Sequence, residues 1–532
     1  MFMSSRQAYI TLMGRSGWAV VNSFQASVIE TEYRPDHIDI IFESRDTKEV
    51  EPVIRGLEII QSSYTTPSVV SHKVADLDTR EMGRTALELV QGFKKQQSEI
   101  ALDITGGRKA LVTGALLALK DESMKYVFYL AIDTTQGVAK PYLMIPKRIQ
   151  KLLDITTNEL QNEKMVLDPK TGETDLLLSK ECVMVLLNQV YSRGEKIIVK
   201  APLVGAEILE LDLQTQKVVM KTNRSDYEQK SRAHSYEGAD HPTYSDLRRC
   251  LCHCGVLEYE NENEFREVLT SDLSKHSDPN RKVRTSFLSL DSNMFYNGFP
   301  STLEKLESQL GIQPKDISCV TSYAVRTEIQ KKIRGKYHKD AIYAAKDYYK
   351  TEYLDVLIDE FVGQNVLDTR FAKMAKSQLT KFMNRPVHMM IGNDDELPRN
   401  SEDVDHMIVT SLKHYAREHG VRVTFVSSDK NMRDACDLAE DVYPLILRIP
   451  QEVPRTMNAT DEVFANLLVG LSLVYGVIEL EKIGYLFGEY KGKQSEVYMN
   501  EVKLRLRNLQ RAKILQERVD TCKKLKELKI AR

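Results

Sequence analysis

Four acids between residues 291 and 429 stand where a chain of alternating strands and helices could bring them together. Asp291 closes the apolar run "FLSLD" and is followed by Ser292 and Asn293. Glu328 comes just after "ISCVTSYAV", Asp405 lies in "NSEDVDHMIVTSLKHYA", and Asp429 closes "VTFVSSD". Carboxyl ends of neighbouring parallel strands converge, so carboxylates placed there can share one site. Packed together they repel and rise in pKa. A divalent cation relieves that repulsion, and hard oxygen donors select Mg²⁺ or Mn²⁺. Such an ion can activate water and steady the charge developing on a scissile phosphate. Each acid also has a plainer reading: Asp at a strand end is often only a helix N-cap, and Glu328 alone could be a surface residue. Asp394 and Asp403 are nearby substitutes in sequence.

The stretch "SYAVRTEIQKKIRGKYHKDAIYAAKDYYKTEY" interleaves Arg326, Lys331, Lys332, Arg334, Lys336, Lys339 and Lys346 with Tyr337, Tyr343, Tyr348 and Tyr349. Cations contact phosphates and aromatic rings stack on unpaired bases, a combination suited to single strands. A helix with solvated lysines and half-buried tyrosines fits the same letters.

A second chemistry-bearing stretch is "ALDITGGRKALVTGALLALK", residues 101 to 120, which reads as a strand end, a tight turn and an apolar helix. A helix N-terminus presents unpaired N–H groups and partial positive charge, and Gly106–Gly107 lets backbone approach a ligand closely. Thr105 adds a hydroxyl. Arg108 and Lys109 add positive charge in the first turn, unfavourable to the helix dipole unless an anion is near. An ordinary strand-to-helix turn is the alternative. The loop "GRSGWAVVNS", residues 14 to 23, is a second glycine-bearing, cationic turn after the first strand.

The elements that would position these groups follow from periodicity. "QAYITLMG", "HIDIIFES", "VVSHKVAD", "EIALDITGG" and "KYVFYLAID" read as strands, separated by segments with apolar residues at helical spacing. That alternation predicts a parallel sheet with helices on both faces over residues 1–150, with both loops at its carboxyl edge. Residues 151–280 predict a connector, winged-helix-like, in which "LLLSKECVMVLLNQVYSRG" is helical and 222–246 is a polar, turn-rich connection. Residues 281–452 return to α/β alternation, with "VRTSFLSLDSNMF", "DISCVTSYAV", "PVHMMIGND" and "VRVTFVSSD" as strands, and 453–532 predict a helical extension.

The two N-terminal loops resemble those of the CRISPR-associated Rossmann-fold (CARF) family over about residues 6 to 150. The likeness rests on G-x-S-x-W-A-V-V-N, here Gly14, Ser16, Trp18 and Asn22, and on D-x-T-G-G-x-K, here Asp103, Thr105, Gly106, Gly107 and Lys109. It implies a homodimer whose paired loops, with Arg15 and Arg108 beside the motifs, bind a cyclic oligoadenylate, cyclic tetra-adenylate (cA4) being the favoured ring. The dinucleotide fingerprint G-x-G-x-x-G is absent after the first strand, against NAD. The ordered acids, as D-x-N, S-x-x-V-x-x-E-I, D-x-x-I-x-x-S-L and S-x-D over about 284 to 450, resemble the PIN-domain nucleases. That resemblance implies single-stranded RNA cleavage by a metal-activated water. Asp291, Glu328, Asp405 and Asp429 would be the metal-binding, catalytic acids, with Asn293 and Ser427 as polar supports and Lys331, Lys332, Arg334 and Tyr337 meeting the RNA. Ser427 stands where the family often has threonine, and the insert before Asp405 is longer than in minimal members.

Together these point to a type III CRISPR ancillary ribonuclease acting in antiviral defence. The rival is a ligand-responsive transcription regulator with a DNA-binding connector and an inert C-terminal region; a third reading has the sensor cleave its own ligand. Length bounds the rest: 532 residues exceed one core, and a net charge of −2 names no partner. No apolar run suffices to span a membrane and "MFMSSRQAYITLMG" runs straight into a strand, so a cytoplasmic protein is expected. Seven scattered cysteines predict no disulfide framework. The cluster Cys250, Cys252, His253, Cys254 fits either half a zinc site or a helix burying Cys250 and Cys254. The last 32 residues carry 11 Lys/Arg against 4 Asp/Glu, either a solvated face or a patch for RNA.

Overall fold

The structure, a computed structural model, describes residues 6–134, 138–157, 171–234, 241–274, 285–349, 352–392, 401–436 and 440–531. The chain divides into two compact units that interleave in sequence. One comprises Met1–Gly172, Glu181–Glu195 and Asn508–Arg532, the other Glu173–Lys180 and Lys196–Arg507.

The first unit is built on β1 (Gln7–Met13), β2 (His37–Glu43), β3 (Val69–Val74), β4 (Glu99–Asp103), β5 (Tyr126–Ile132) and β6 (Gln150–Asp154), in the order β3-β2-β1-β4-β5-β6. All neighbours pair parallel except β5 with β6. β1, β2 and β4 are buried almost end to end, as parallel strands covered on both faces must be. Alternation sorts their side chains. Ile10 and Leu12 pack with Met82, Ala86 and Val90 of the helix Thr79–Lys95 and with Leu111 and Ala115 of the helix Lys109–Ala118. Tyr9 turns to the other face, its ring 4.9 Å from Phe24 in the helix Gly17–Glu30. The strand order reverses between β1 and β4, so the two glycine loops meet at a topological switch point.

The second unit holds two sheets. Five parallel strands, β11 (Ser286–Leu290), β12 (Ser318–Ser322), β13 (His388–Ile391), β14 (Arg422–Ser427) and β15 (Val442–Ile446), run in the order β13-β12-β11-β14-β15. Here too the order reverses, between β11 and β14, whose carboxyl ends carry Asp291 and Ser427. The other sheet has eight strands. They are β7 (Thr171–Ser179), β8 (Ile197–Ala201), β9 (Ala206–Asp212), β10 (Lys217–Met220), β16 (Thr456–Asn458), β17 (Val477–Leu480), β18 (Gly484–Phe487) and β19 (Glu501–Asn508), in the order β16-β10-β9-β8-β17-β18-β19-β7.

The α/β class holds throughout; within it, the stretch expected as a winged-helix-like connector is divided. β6 joins the first sheet, the helix Val183–Ser192 belongs to the first unit, and β8, β9 and β10 enter the eight-stranded sheet beside strands from beyond residue 455. "LLLS", expected to open a helix, instead ends strand β7, and the polar stretch after 222 forms the helix Arg224–His234. The extension after 453 contributes strands as well as the helices Asp461–Tyr475 and Leu509–Glu527. Local periodicity cannot show the pairing of β10 with β16 or of β8 with β17, because those partners are remote in sequence. Among the described residues, no helix is long and apolar enough to cross a membrane. The basic C-terminal stretch is largely engaged: Lys503 and Arg505 pair with Asp175 and Glu360, and Arg511 is buried against Gln189.

Candidate functional site

β11 and β14 end side by side, with Leu290 paired to Val426. One residue further, Asp291 is 2% exposed and caps the short helix Ser292–Tyr296, Oδ1 accepting from Ser292 N at 2.6 Å. Its Oδ2 accepts from Ser427 Oγ at 2.7 Å and from Asn293 Nδ2 at 3.3 Å. Ser427 Oγ in turn accepts from Asp429 N at 2.9 Å, and Asp429 Oδ1 accepts from Asn431 N at 2.9 Å. Asp291 thus caps the helix that follows it, and Asp429 holds the first residue of the helix Asn431–Cys436. Among the described residues the Asp429 carboxylate accepts from Asn431 N, whereas Asp291 has charged neighbours besides.

Burial pushes the Asp291 carboxyl up to about 6. The Ser427 hydrogen bond opposes the rise, and the carboxylates of Glu328 and Asp405 add to it. Glu328 lies on the helix Tyr323–Lys331, which Ser322 at the end of β12 caps, and is half-buried with Lys332 3.5 Å away. Asp405 is half-buried on the helix Ser401–His419. Three of the four predicted acids therefore share one electrostatic field, and Asp429 is joined to Asp291 through Ser427. Asp403 is exposed, and Asp394 lies outside the described residues.

The donor set is hard oxygen, and burial, followed by the like charges of Glu328 and Asp405, holds the Asp291 carboxyl up. Yet among the described residues no group of three or more His, Cys, Asp or Glu side chains converges closely enough to cage a metal ion.

Sequence reasoning missed two residues beside the acids. Tyr296 is buried, its hydroxyl has no hydrogen-bond partner among the described residues, and its pKa is raised by burial and then by Glu328 and Asp368. Asn297 donates from Nδ2 to Ser428 Oγ at 3.1 Å. Their signal was present in "DSNMFYN", where one short helix links them to Asp291.

The basic insert divides. Lys331, Lys332 and Arg334 are exposed, whereas Tyr337 stacks on Phe361 at 6.1 Å between centroids and accepts from Arg370 Nη2 at 3.1 Å, so its ring serves the fold. Lys346 pairs with Asp359 at 2.6 Å, and Tyr343 and Tyr348 are about half exposed. The cysteine cluster takes the burial reading: Cys250, Cys252 and Cys254 are buried around the helix Tyr244–His253, and a Cβ on Gly470 would strike Cys254 Sγ.

In the first unit the switch point is closed by glycine. A Cβ on Gly14 would lie 2.7 Å from Gly106 O, and one on Gly106 would lie 2.7 Å from Leu12 O and 2.5 Å from Val20. The glycines let the two loops approach each other. Gly107 is likewise pressed on Val112 and Leu12. Beneath them Asp103, fully buried, accepts from Thr11 Oγ1 and Ser23 Oγ, both at 2.8 Å, and from Thr105 N at 3.0 Å. Thr105 Oγ1 accepts from Leu130 N at 2.8 Å. Trp18 and Asn22 are buried, Asn22 Nδ2 donating to Lys140 O at 3.1 Å. Ser16 caps the helix Gly17–Glu30 by accepting from Ala19 N.

Arg108 turns away from the helix it precedes and pairs with Glu43 and, at 3.1 Å, with Asp46. The helix Lys109–Ala118 has no side-chain cap and no acid in its first turn. Its opening N–H groups stand beside two exposed cations, Lys109 at its first position and Arg15 on the facing loop. Of the eleven predicted ligand residues, Arg15 and Lys109 are exposed, Ser16, Thr105, Gly106, Gly107 and Arg108 are half-buried, and Gly14, Trp18, Asn22 and Asp103 are buried beneath them.

No family model and no curated protein matches the chain. Among solved structures it is similar to Can2 from Sulfobacillus thermosulfidooxidans in complex with cyclic tetra-adenylate, at 9% identity and a TM-score of 0.25, over 83% of this chain and 95% of that one. Protein VC1899 from Vibrio cholerae pairs at 8% identity and 0.26, over 82% and 94%. Enterococcus italicus Csm6 bound to cyclic hexa-2'-fluoro-hexa-dAMP pairs at 12% identity and 0.21, over 98% and 100%. At such scores none of these pairings carries an inference about ligand or activity.

Proposed function

We propose that the chain is a metal-dependent endoribonuclease governed by an anionic second messenger, of the CARF–PIN kind its motifs resemble. The observation that carries the reading is Asp291: a carboxyl at a switch point, pushed up to about 6 first by burial and then by the charges of Glu328 and Asp405. Desolvation and like charge both disfavour the carboxylate there, and a bound divalent cation would relieve both. Asp291, with Glu328 or Asp405, would hold that cation, Mg²⁺ or Mn²⁺, which supplies water activation and charge stabilisation at a phosphodiester. Ser427 and Asn293 orient the Asp291 carboxylate, and Asp429 steadies Ser427. The exposed Lys331, Lys332 and Arg334 would meet the RNA backbone.

The first unit would take cyclic oligoadenylate at the uncapped helix start, with Lys109 and Arg15 facing phosphate and a second copy of the chain completing the site. Binding would activate by favouring one arrangement of the protein over another. The test is direct: fluorescent RNA and DNA reporters with Mg²⁺ or Mn²⁺, screened against cyclic tri-, tetra- and hexa-adenylate. RNA cleavage that one ring stimulates and a chelator stops is expected; no cleavage under any combination overturns the reading.

A further inference from the structure

Within the second unit, a cavity of about 570 Å³ opens between the helix Tyr244–His253, the turn after β14 and the chain after β15. Four cations line it, Arg248, Arg249, Lys430 and Arg448, against the two acids Glu260 and Glu452. Arg448 is 3.4 Å from Glu260, and Arg248 is braced by donating to Pro450 O at 2.8 Å. Arg249 and Lys430 are exposed. The cavity adjoins the acids by covalent and hydrogen-bonded links. Lys430 follows Asp429, and Asn297, in the cavity wall, holds Ser428. Tyr296, one residue before Asn297, senses both sides: Glu328 raises its pKa and Arg249 lowers it.

A cluster of carboxylates repels a polyanion, so a strand can cross it only if cations hold its neighbouring phosphates. We propose that this cavity is that hold: Arg249 and Lys430 bind the phosphodiester backbone of single-stranded RNA beside the bond presented to Asp291. Arg248 shapes the wall, and Arg448 adds charge beyond its partner Glu260. The proposal rests on the nuclease reading and adds a subsite made partly by a helix outside residues 281–452. Charge contacts of this kind read backbone rather than sequence.

The test measures fluorescence anisotropy of a labelled single-stranded RNA on the full chain over a salt series, all variants carrying Asp291→Asn so that nothing is cut. Arg249→Ala with Lys430→Ala should weaken binding roughly tenfold or more and flatten the slope of log K against log salt by about 1.4, the loss of two phosphate contacts. Arg249→Lys with Lys430→Arg should keep the slope. A DNA strand of the same sequence should lose affinity equally. Unchanged affinity and slope in the alanine variant overturns the proposal. So does a loss confined to RNA, a charge-preserving variant as weak as the alanine one, or a parent that binds no RNA. If the parent binds but the native chain cuts no reporter, the nuclease reading falls while the backbone site stands.

Discussion

Ser427 and Asp291 face each other across two adjacent parallel strands, the serine hydroxyl donating to Asp291 Oδ2 at 2.7 Å while accepting the backbone N–H of Asp429. One hydroxyl thus favours the ionised form of a carboxyl that burial and two other acids push the opposite way. Ser427→Ala should shift the acid limb of the pH–rate profile alkaline by about one unit, since a hydrogen bond to a charged group contributes about 1.5–3 kcal/mol. Ser427→Thr keeps the hydroxyl and should restore the limb. An unmoved limb in the alanine variant would show that Asp291 does not titrate in the reaction.

Asp291→Asn should abolish cleavage and leave messenger binding intact, because the shape stays and the negative charge goes. It also has a thermodynamic signature. Folding raises this carboxyl from the usual range near 3.8 to about 6, so between those values the folded state holds the proton more tightly. Stability therefore falls as pH rises through that window, by about 3 kcal/mol in total. In chelator, Asp291→Asn should melt above the native protein at pH 7 and lose the advantage below pH 4. Mg²⁺ should stabilise the native protein more than the variant. Matching melting curves at both pH values would refute the assignment.

The exposed cations Lys331, Lys332 and Arg334 should add to RNA affinity by phosphate contact. Their joint replacement by Ala should weaken binding and lower its dependence on salt, read by anisotropy across a salt series. Wild-type affinity and slope would leave them as a solvated surface.

Lys109 and Arg108 should part company despite being neighbours. Lys109→Glu, exposed at the helix start, should cost about 2–5 kcal/mol in messenger binding, with melting temperature and basal cleavage unchanged. Arg108→Ala should destabilise the fold by about 1–2 kcal/mol, since the buried Glu43 carboxylate loses one of its two arginine partners and keeps Arg45 and the Leu77 N–H. Calorimetric titration of cyclic tetra-adenylate, beside thermal melts, separates the two. Equal binding by folded Lys109→Glu would mean that this loop is not the messenger site.

Much of the architecture was legible because its signals are local. β-branched and aromatic runs of about five to seven residues mark all five parallel strands of the first sheet and four of the five in the second. Acids at the ends of such runs had to lie at one edge, so the positions of Asp291 and Asp429 follow from the strands alone. The helix start at Lys109 was equally visible in "TGGRK".

What those letters could not show is who meets whom. The composition of "TGGRK" suits a phosphate loop, yet Gly106 is spent on Gly14 and Arg108 on Glu43 and Asp46, partners that only the packed loops bring near. The eight-stranded sheet joins β10 to β16 and β8 to β17 across more than two hundred residues, where periodicity carries no pairing information. Arg249 belongs to a helix that sequence placed in a connector, and only folding sets it beside Tyr296. Burial is decided in the same way. The sequence alone determined that Asp291 ends a strand; the close packing of β11 against β14, with Glu328 and Asp405 near, decided that its carboxyl should hold a proton to about pH 6, because desolvation and like charge are properties of the assembled site.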